Sequence, residues 1–214
     1  MSAVSPAQDN PATPFASPDD LAEALARGEM VVLVDNPDRE NEGDITLAAE
    51  FVSAEAINFM ISHARGQVCL AITEELATRL ELPLQPQRNL PVNQARFTIS
   101  IEAAEGVGTG VSPKDRAHTI LTAIREGATS ADIATPGHVF PLIAAKGGLS
   151  ERLGHTEASI ALCEMAKLTK AAVICEVIAE NGEMARLPEL QVFCKKHGLK
   201  LGRIDTLKNH LQRQ

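Results

Sequence analysis

Two periodicities of apolar residues divide this chain into short helices and strands. Short apolar or alternating runs predict strands at residues 30–34, 45–49, 67–72, 97–102, 172–179 and 199–204. Capping residues, helical apolar spacing and closing glycines predict helices at 17–27, 53–65, 73–82, 112–127, 156–167, 188–197 and from Asp205 onward. Because the two kinds of element are interspersed with no linker between them, the pattern predicts a mixed α and β class in a single domain of residues 17–214.

Three segments fall outside these predicted elements. Residues 1–16 are rich in Ser, Pro and Ala, and they predict a flexible N-terminal tail. Residues 83–95 are rich in Pro, Gln and Asn, and they predict a loop. Residues 128–154 contain six glycines and prolines, which predict a second, longer loop. A loop of that length inside a compact domain usually carries function.

The composition argues against a nucleic-acid-binding protein. Aromatic residues make up 3% of the chain, with six Phe and no Trp or Tyr, too few for the stacking platforms that bind single strands. The formal net charge of −8 argues against a broad basic face for phosphate backbones. A small anionic ligand remains compatible with this charge if a local cation or a helix N-terminus meets it. The apolar fraction of 44% is sufficient for a sizeable core.

The chain shows none of the sequence features of a membrane or secreted protein. It has no apolar run of about 18 residues, so no membrane span is expected. Its first residues lack a basic start followed by an apolar stretch, so no secretory signal is expected. Four cysteines lie far apart without a C-x-x-C pair. This spacing predicts reduced thiols in a cytoplasmic protein, and neither a zinc site nor a disulfide framework.

An acidic segment between two predicted strands, residues 35–44, is the first candidate site. It holds five acids and one Arg. Asp38, Glu40, Glu42 and Asp44 are two residues apart, so an extended backbone would place their carboxylates on one side. Carboxylates this close repel each other, and a hard divalent cation would relieve that repulsion. A solvated acidic loop is the alternative, although the position at strand ends favours a functional site.

A glycine-rich segment, residues 147–157, leads into a predicted helix and is the second candidate site. Its backbone N–H groups, the positive end of the helix dipole, Arg152 and the hydroxyl of Thr156 would together suit a phosphate group. No Walker or dinucleotide motif is present, so an ordinary loop before a capped helix is the alternative. An isolated histidine such as His155 is more often a structural hydrogen-bonding residue than a ligand.

Two further residues have the chemistry of acids and bases. His138 lies in the Gly- and Pro-rich segment 135–141, where an imidazole held in place could transfer protons near neutral pH. Glu176 interrupts the apolar strand predicted at 172–179, where a charge is costly unless it is exposed, paired or functional. The pattern leaves open whether either residue has a role in chemistry.

Four short motifs, in a fixed order along the chain, resemble those of one enzyme family. They are RENEGD at 39–44, EGVGTGVS at 105–112 followed by Asp115-Arg116, PGHVFP at 136–141 and RLGHTEA at 152–158. Together they resemble 3,4-dihydroxy-2-butanone 4-phosphate synthase over about residues 18–205. One motif alone would be weakly specific, whereas four in order are highly specific.

The resemblance implies the fold and the activity of that family. The implied fold is α+β, with a mixed sheet and helices packed around it in an α/β/α layered single domain. The implied lyase reaction converts D-ribulose 5-phosphate into L-3,4-dihydroxy-2-butanone 4-phosphate and formate in riboflavin biosynthesis. It proceeds by metal-stabilised enediolate formation, dehydration, skeletal rearrangement and loss of formate. The resemblance also implies a homodimer with active sites near the subunit interface.

The resemblance further implies the ligands of a metal ion and of the substrate. It assigns Glu40 and His155 as metal ligands, with Mg²⁺ as the expected ion. Imidazole suits Mn²⁺ better, so Mn²⁺ is expected to substitute. The substrate contacts that it implies are Arg39, Glu40, Asp44, Arg152, Gly154, His155, Thr156 and Glu176.

Catalytic roles follow from the same resemblance. His138 and Glu176 match positions that the family requires for catalysis. The reaction needs several proton transfers, and the available acids and bases are Asp35, Glu42, His138 and Glu176, with no assignment of each to one step. Cys69 lies at a position that the family places near the site, and we expect it to serve packing.

Two residues depart from the family pattern, and two other functions stay open. Asn36 stands where Asp is more usual, and Gly108 stands where Thr or Ser is more usual. Many relatives carry a fused GTP cyclohydrolase II domain, whose zinc cysteines this sequence lacks, so we expect a monofunctional enzyme. The alternatives are a module that binds a sugar phosphate without turnover, and another metal-dependent enzyme such as a phosphatase or a sugar-phosphate isomerase.

Overall fold

The fold is known from a computed structural model that describes residues 15–86, 88 and 95–213. Residues 1–14 of the predicted tail and part of the predicted loop 83–95 lie outside the described residues. Phe15 and Ala16, at the end of the predicted tail, pair with the C-terminal strand, where Ala16 N donates to Leu201 O at 2.8 Å. Within the described part of the chain, no helix is both long and apolar enough to cross a bilayer.

Seven α-helices and eight strands are found among the described residues. The helices are α1 (Pro18–Ala26), α2 (Ala54–Phe59), α3 (Glu74–Arg79), α4 (Pro113–Ile124), α5 (His155–Met165), α6 (Leu187–His197) and α7 (Ile204–Leu211). The strands are β1 (Val31–Val34), β2 (Gly43–Ala48), β3 (Cys69–Ile72), β4 (Arg96–Phe97), β5 (Ile101–Ala103), β6 (Ile133–Ile143), β7 (Ala171–Glu176) and β8 (Lys200–Arg203). A π-helical turn, Met60–Ala64, continues α2.

Hydroxyl caps begin several of the helices where the sequence predicts them. The side chains of Ser17, Ser53, Thr73 and Ser112 each accept a hydrogen bond from the backbone N–H three residues later. Each cap of this kind stabilises its helix by about 1 kcal/mol. At the opposite end of α6, Gly198 takes a left-handed conformation with φ 68°, as a closing glycine does. Local chemistry therefore determines these boundaries.

All eight described strands belong to one mixed sheet. Its order is β4-β6-β3-β7-β2-β1-β8, and β5 lies beside β6 off this path. β1 runs parallel to β8 and β3 runs parallel to β6, whereas the other neighbouring pairs are antiparallel. The mixed sheet implied by the resemblance is therefore confirmed.

Helices cover both faces of this sheet. Alternate residues of β1 show the two sides, because Val32 and Val34 pack in one apolar core while Val31 and Leu33 pack in another. The first core contains buried residues of α2, α3, α4 and α6, and the second contains those of α1, α5 and α7. A strand covered on both faces needs apolar residues at every position, which explains its continuous apolar run. The α/β/α layering is therefore confirmed.

The prediction of one long loop over residues 128–154 is wrong. Residues 133–143 form β6, which pairs with β3, β4 and β5. Glycine and proline normally interrupt strands, but neighbours from distant parts of the chain supply the pairing here. The strand predicted at 97–102 is also divided, because β4 and β5 pair with different halves of β6.

Candidate active site

Three segments that carry predicted site residues meet at one cleft of about 220 Å³. They are the loop between β1 and β2 with the start of β2, the last residue of β7, and the first turn of α5 with the residues just before it. The antiparallel register of β2 and β7 places Asp44 opposite Glu176. The predicted site residues that line the cleft are Arg39, Glu40, Glu42, Asp44, Arg152, His155, Thr156 and Glu176. The tertiary structure therefore brings most of the predicted residues together, while their roles stay predictions.

Asp35 shapes the loop that carries the acidic residues. Its side chain is fully buried. One carboxylate oxygen, Oδ2, accepts hydrogen bonds from Arg39 Nη1 and from the Glu40 N–H, both at 3.0 Å. The other oxygen, Oδ1, accepts from the Glu42 N–H at 2.8 Å. These bonds give Asp35 a clear structural role, and its role as an acid or base stays a prediction.

The acidic loop is not the extended segment that its two-residue spacing predicts. Residues 37–40 form a turn, in which the Asp38 N–H donates to Asn36 Oδ1 at 2.9 Å. Asp38 is exposed and does not line the cleft. The prediction of four carboxylates on one side is therefore wrong for Asp38, because an Asn-Pro turn redirects the backbone. Asn36, a departure from the family pattern, supplies the side chain that caps this turn.

The donor atoms at the base of the cleft fit a divalent cation. His155 Nε2 and Asp44 Oδ1 are buried 3.7 Å apart, and neither has a hydrogen-bond partner among the described residues. Glu40 Oε2 lies 3.9 Å from His155 Nδ1. Donor atoms of Asp35, Glu40 and His155 lie within 4.8 Å of one another. Unpaired buried polar atoms are costly, and carboxylate oxygens with one imidazole are donors that Mg²⁺ and Mn²⁺ accept.

Burial changes the protonation of these groups. Burial, and then the charges of Glu176 and Glu40, raise the pKa of the Asp44 carboxyl well above its usual value. Burial and the charge of Glu40 also raise the pKa of Glu42. Burial lowers the pKa of His155, which favours the neutral imidazole that binds metals. A cation bound at this place would stabilise the ionised carboxylates and so lower their pKa values.

We expect Asp44→Asn to stabilise the metal-free protein at neutral pH, by about 1–3 kcal/mol. Because the pKa of Asp44 is raised by folding, the folded protein keeps this proton to a higher pH than the unfolded chain does, so the free energy of unfolding falls as pH rises above about 3.9. Asparagine carries no charge and removes this dependence. Thermal unfolding in chelator at about pH 5 and about pH 8 tests the expectation. A stability gain that does not grow with pH would contradict it.

The first turn of α5 and the segment before it form the other end of the cleft. Arg152 Nη1 donates to Glu157 Oε2 at 2.7 Å, and Glu157 Oε1 accepts from the Ala145 N–H at 2.8 Å. A Cβ atom at Gly154 would collide with the Arg152 guanidinium and with Glu157 Oε2. His155 and Thr156, which follow Gly154, line the cleft. A guanidinium beside a helix N-terminus suits a phosphate group.

His138 and Glu176 occupy different places. Glu176 lines the cleft, and its Oε2 accepts a hydrogen bond from the Gln67 N–H at 2.7 Å. His138 lies in β6 and not in the predicted loop, and its side chain is 45% exposed. It does not line the cleft of its own chain. Its Nδ1 is 2.7 Å from Glu102 Oε2.

Two hydrogen-bonding partners, Glu102 of His138 and Gln67 of Glu176, are not among the site residues that the sequence predicts. Glu102 is a buried acid inside β5. An acid at the end of a predicted alternating strand is the sequence feature that could have marked it as a candidate. Gln67 acts through its backbone N–H, which any residue except proline would supply, so its side chain carried no signal. Cys69 lines the cleft, and burial raises the pKa of its thiol. A thiol that resists ionisation agrees with the predicted packing role.

Comparisons with known proteins identify the family. A family model described as 3,4-dihydroxy-2-butanone 4-phosphate synthase matches residues 19–210. A protein of that name from Pseudomonas aeruginosa is 52% identical over 189 residues, which cover 88% of this chain and 52% of the relative. One from Agrobacterium fabrum is 44% identical over 194 residues, which cover 91% of both chains. This chain therefore spans about half the length of the first relative and most of the second.

Solved structures show the same architecture. A 3,4-dihydroxy-2-butanone 4-phosphate synthase in complex with two magnesium ions has a TM-score of 0.88 and 35% identity, covering 94% of this chain and 98% of that one. RibBX, a two-domain synthase from A. baumannii, has a TM-score of 0.86 and 46% identity, covering 90% of this chain and 56% of its own. By sequence, motif order and fold, this chain belongs to the 3,4-dihydroxy-2-butanone 4-phosphate synthase family.

Proposed function

We propose that this chain converts D-ribulose 5-phosphate into L-3,4-dihydroxy-2-butanone 4-phosphate and formate, as a lyase of riboflavin biosynthesis. One observation carries the proposal: buried ligand atoms of Asp44 and His155, without a hydrogen-bond partner in the described part of the chain, share a cleft with Arg152, which lies just before α5. A pentose phosphate has neighbouring oxygens for a cation at one end and a phosphate for the helix terminus at the other. Family membership points to the same substrate.

The cation of this site is proposed to be Mg²⁺, with Mn²⁺ as a substitute, held by Glu40 and His155. When bound, it would polarise carbonyl and hydroxyl oxygens of the sugar. The unpartnered atoms of Asp44 and His155 support a cation at this place. The magnesium complex of a relative supports the choice of metal.

The acids of the cleft divide the proton transfers according to their surroundings. The Gln67 N–H donates to Glu176 and fixes its carboxylate in the cleft, and Glu176 is the proposed base that accepts a proton from a substrate carbon. Burial and the charge of Glu40 raise the pKa of Glu42, so its carboxyl holds a proton more readily than an exposed glutamate does and is the proposed group that returns a proton. Arg39 and Asp44 are proposed to bind substrate hydroxyl groups, and their position in the lining of the cleft beside Glu40 supports this.

We expect Arg152→Ala to raise the KM for D-ribulose 5-phosphate by about 30-fold, with a smaller change in kcat. Losing a charge-assisted hydrogen bond to phosphate costs about 2 kcal/mol. Steady-state kinetics measure the split between KM and kcat. Arg125→Ala is the control, because Arg125 is exposed and pairs with Asp132. An unchanged KM would remove Arg152 from phosphate binding.

His138 has a proposed catalytic role but lies outside the cleft of its own chain. Since His138 does not line its own cleft, we propose that it acts in the cleft of a second copy, near the subunit interface. Mixing experiments test this sharing. His138→Ala and Glu176→Gln chains, each inactive alone, should recover about one quarter of wild-type activity when unfolded and refolded together as mixed dimers. Sharing of the site is wrong if light scattering finds dimers and the mixture stays inactive.

Formate release from D-ribulose 5-phosphate, with magnesium and then with excess EDTA, tests the proposed activity. Metal-dependent formate would establish the reaction, whereas inorganic phosphate or an isomeric pentose would indicate another metal-dependent enzyme. No product from a folded, magnesium-loaded protein would indicate a binding module.

We also propose a cytoplasmic location, because Cys69, Cys163, Cys175 and Cys194 are free thiols.

A further inference from the structure

The acidic loop, residues 35–42, is tethered from a distant part of the chain. Arg186 Nη1 donates a hydrogen bond to Glu40 O at 2.7 Å and another to Asn41 O at 2.5 Å. Arg186 lies 145 residues beyond Asn41, immediately before α6. None of the four motifs includes Arg186. Its guanidinium therefore joins the C-terminal part of the fold to the backbone of a candidate metal ligand.

Asp35 binds backbone N–H groups of the acidic loop, and Arg186 binds backbone carbonyl groups of the same loop. The Asp35 carboxylate accepts from the N–H groups of Glu40 and Glu42, whereas Arg186 donates to carbonyl oxygens of Glu40 and Asn41. Between them, Asn41 has a left-handed φ of 56°, which costs a non-glycine residue free energy. A backbone in such a conformation persists when its surroundings hold it, and the two charged side chains do so here.

Packing of α6 sets the position of Arg186. Leu190 and Cys194 on α6 are fully buried. Leu190 lies directly on Gly43, where the loop enters β2, and a Cβ atom at Gly43 would lie 2.5 Å from Leu190 Cδ1. The absence of a side chain at Gly43 thus lets the start of α6 lie against the end of the loop. The Arg186 N–H also donates to Glu189 Oε2 at 3.1 Å, which orders the first turn.

We propose that Arg186 is a positioning residue, whose two hydrogen bonds hold the loop so that the Glu40 carboxylate stays beside His155. Glu40 Oε2 is 3.9 Å from His155 Nδ1 in this arrangement, and Glu40 itself is exposed. Without the guanidinium, the loop would lose the two hydrogen bonds to the carbonyl oxygens of Glu40 and Asn41. The effect on turnover rests on the proposed function, whereas the effect on loop order does not.

A spin label at position 38 measures loop order directly. Asp38 is exposed at the turn, and the four native cysteines are buried. Burial raises the thiol pKa of Cys163, Cys175 and Cys194 to about 12, so a labelling reagent selects an introduced Asp38→Cys. We expect the electron paramagnetic resonance spectrum of this label to show faster motion in Arg186→Gln, with an intermediate spectrum in Arg186→Lys.

Manganese binding measures the consequence for the site. We expect Arg186→Gln to weaken Mn²⁺ affinity about tenfold, the equivalent of losing one or two ordinary hydrogen bonds. In kinetics, the variant should lose a similar factor in kcat/KM at limiting magnesium and regain most of it at saturating magnesium. Arg27→Gln is the matched control, because Arg27 is exposed, pairs with Glu29 and precedes the opposite end of β1.

Folded Arg186→Gln with an unchanged spectrum or an unchanged Mn²⁺ affinity would overturn the proposal. If Arg186→Gln does not fold, Arg186→Lys decides, since a lysine side chain is one bond shorter and its Nζ falls short of the position of Nη1, the atom that donates to both carbonyl oxygens. A wild-type spectrum and affinity in Arg186→Lys would then overturn it. If the wild-type protein releases no formate, the proposed function fails alone, and the label and Mn²⁺ measurements still decide the role of Arg186.

Discussion

Replacing His155 or Glu40 with alanine is expected to lower turnover about a thousandfold. Each change removes a proposed ligand of the cation, whose stabilisation of developing negative charge is worth several kcal/mol. The fold should survive, because Glu40 lies in an exposed loop and His155 begins α5 at a buried position where Nε2 has no partner among the residues that the structure describes. Formate assays and circular dichroism together measure both effects.

Metal binding separates this expectation from a general loss of structure. Both variants should lose Mn²⁺ affinity, and added metal should restore little activity. His210→Ala is the control for His155, since His210 lies on α7 and pairs with Asp19 of α1. Near-full activity with magnesium in either variant would show that the assignment of these ligands is wrong.

Glu176→Gln is expected to lower kcat by about 10²–10⁴-fold while KM changes little. A positioned acid or base contributes about this factor to a proton transfer. The glutamine amide has the same shape, and its oxygen can still accept the Gln67 N–H bond, so only the proton-transfer capacity and the charge are lost. Steady-state kinetics with D-ribulose 5-phosphate measure the two parameters.

An exposed acid nearby along the chain serves as the matched control for this change. Glu180→Gln alters the same functional group four residues beyond Glu176, at an exposed position. We expect it to keep wild-type kinetics. If Glu176→Gln retains most of the wild-type kcat, Glu176 has a binding or structural role, and Glu42 becomes the leading candidate for the base.

Predictions from local sequence succeeded where the deciding interactions are local. Ser17, Ser53, Thr73 and Ser112 cap helices near the predicted starts, because a cap needs only its own side chain and the next three residues. The strand β1 could be predicted for a similar reason, because a strand buried on both faces has apolar residues at every position.

The failures concern segments whose conformation depends on distant partners. Residues 133–143 contain Pro136, Gly137 and Pro141, yet they form a strand because β3, β4 and β5 pair with it. Likewise the two-residue spacing of the acids assumed extended backbone, whereas the turn at Asn36 turns Asp38 away from the cleft. Single-residue preferences are weak compared with such pairing and turn interactions.

The residues alone specify the chemical groups of this protein, and four ordered motifs identify its family. The helix caps and the buried strands can also be predicted from the chain, since they depend on neighbouring residues. That Glu40, His155 and Glu176 share a cleft, while His138 does not line it, depends instead on how distant segments fold together. The tertiary structure also places Arg186 on the acidic loop. Such contacts follow from strand order and helix packing, which join residues more than 100 positions apart.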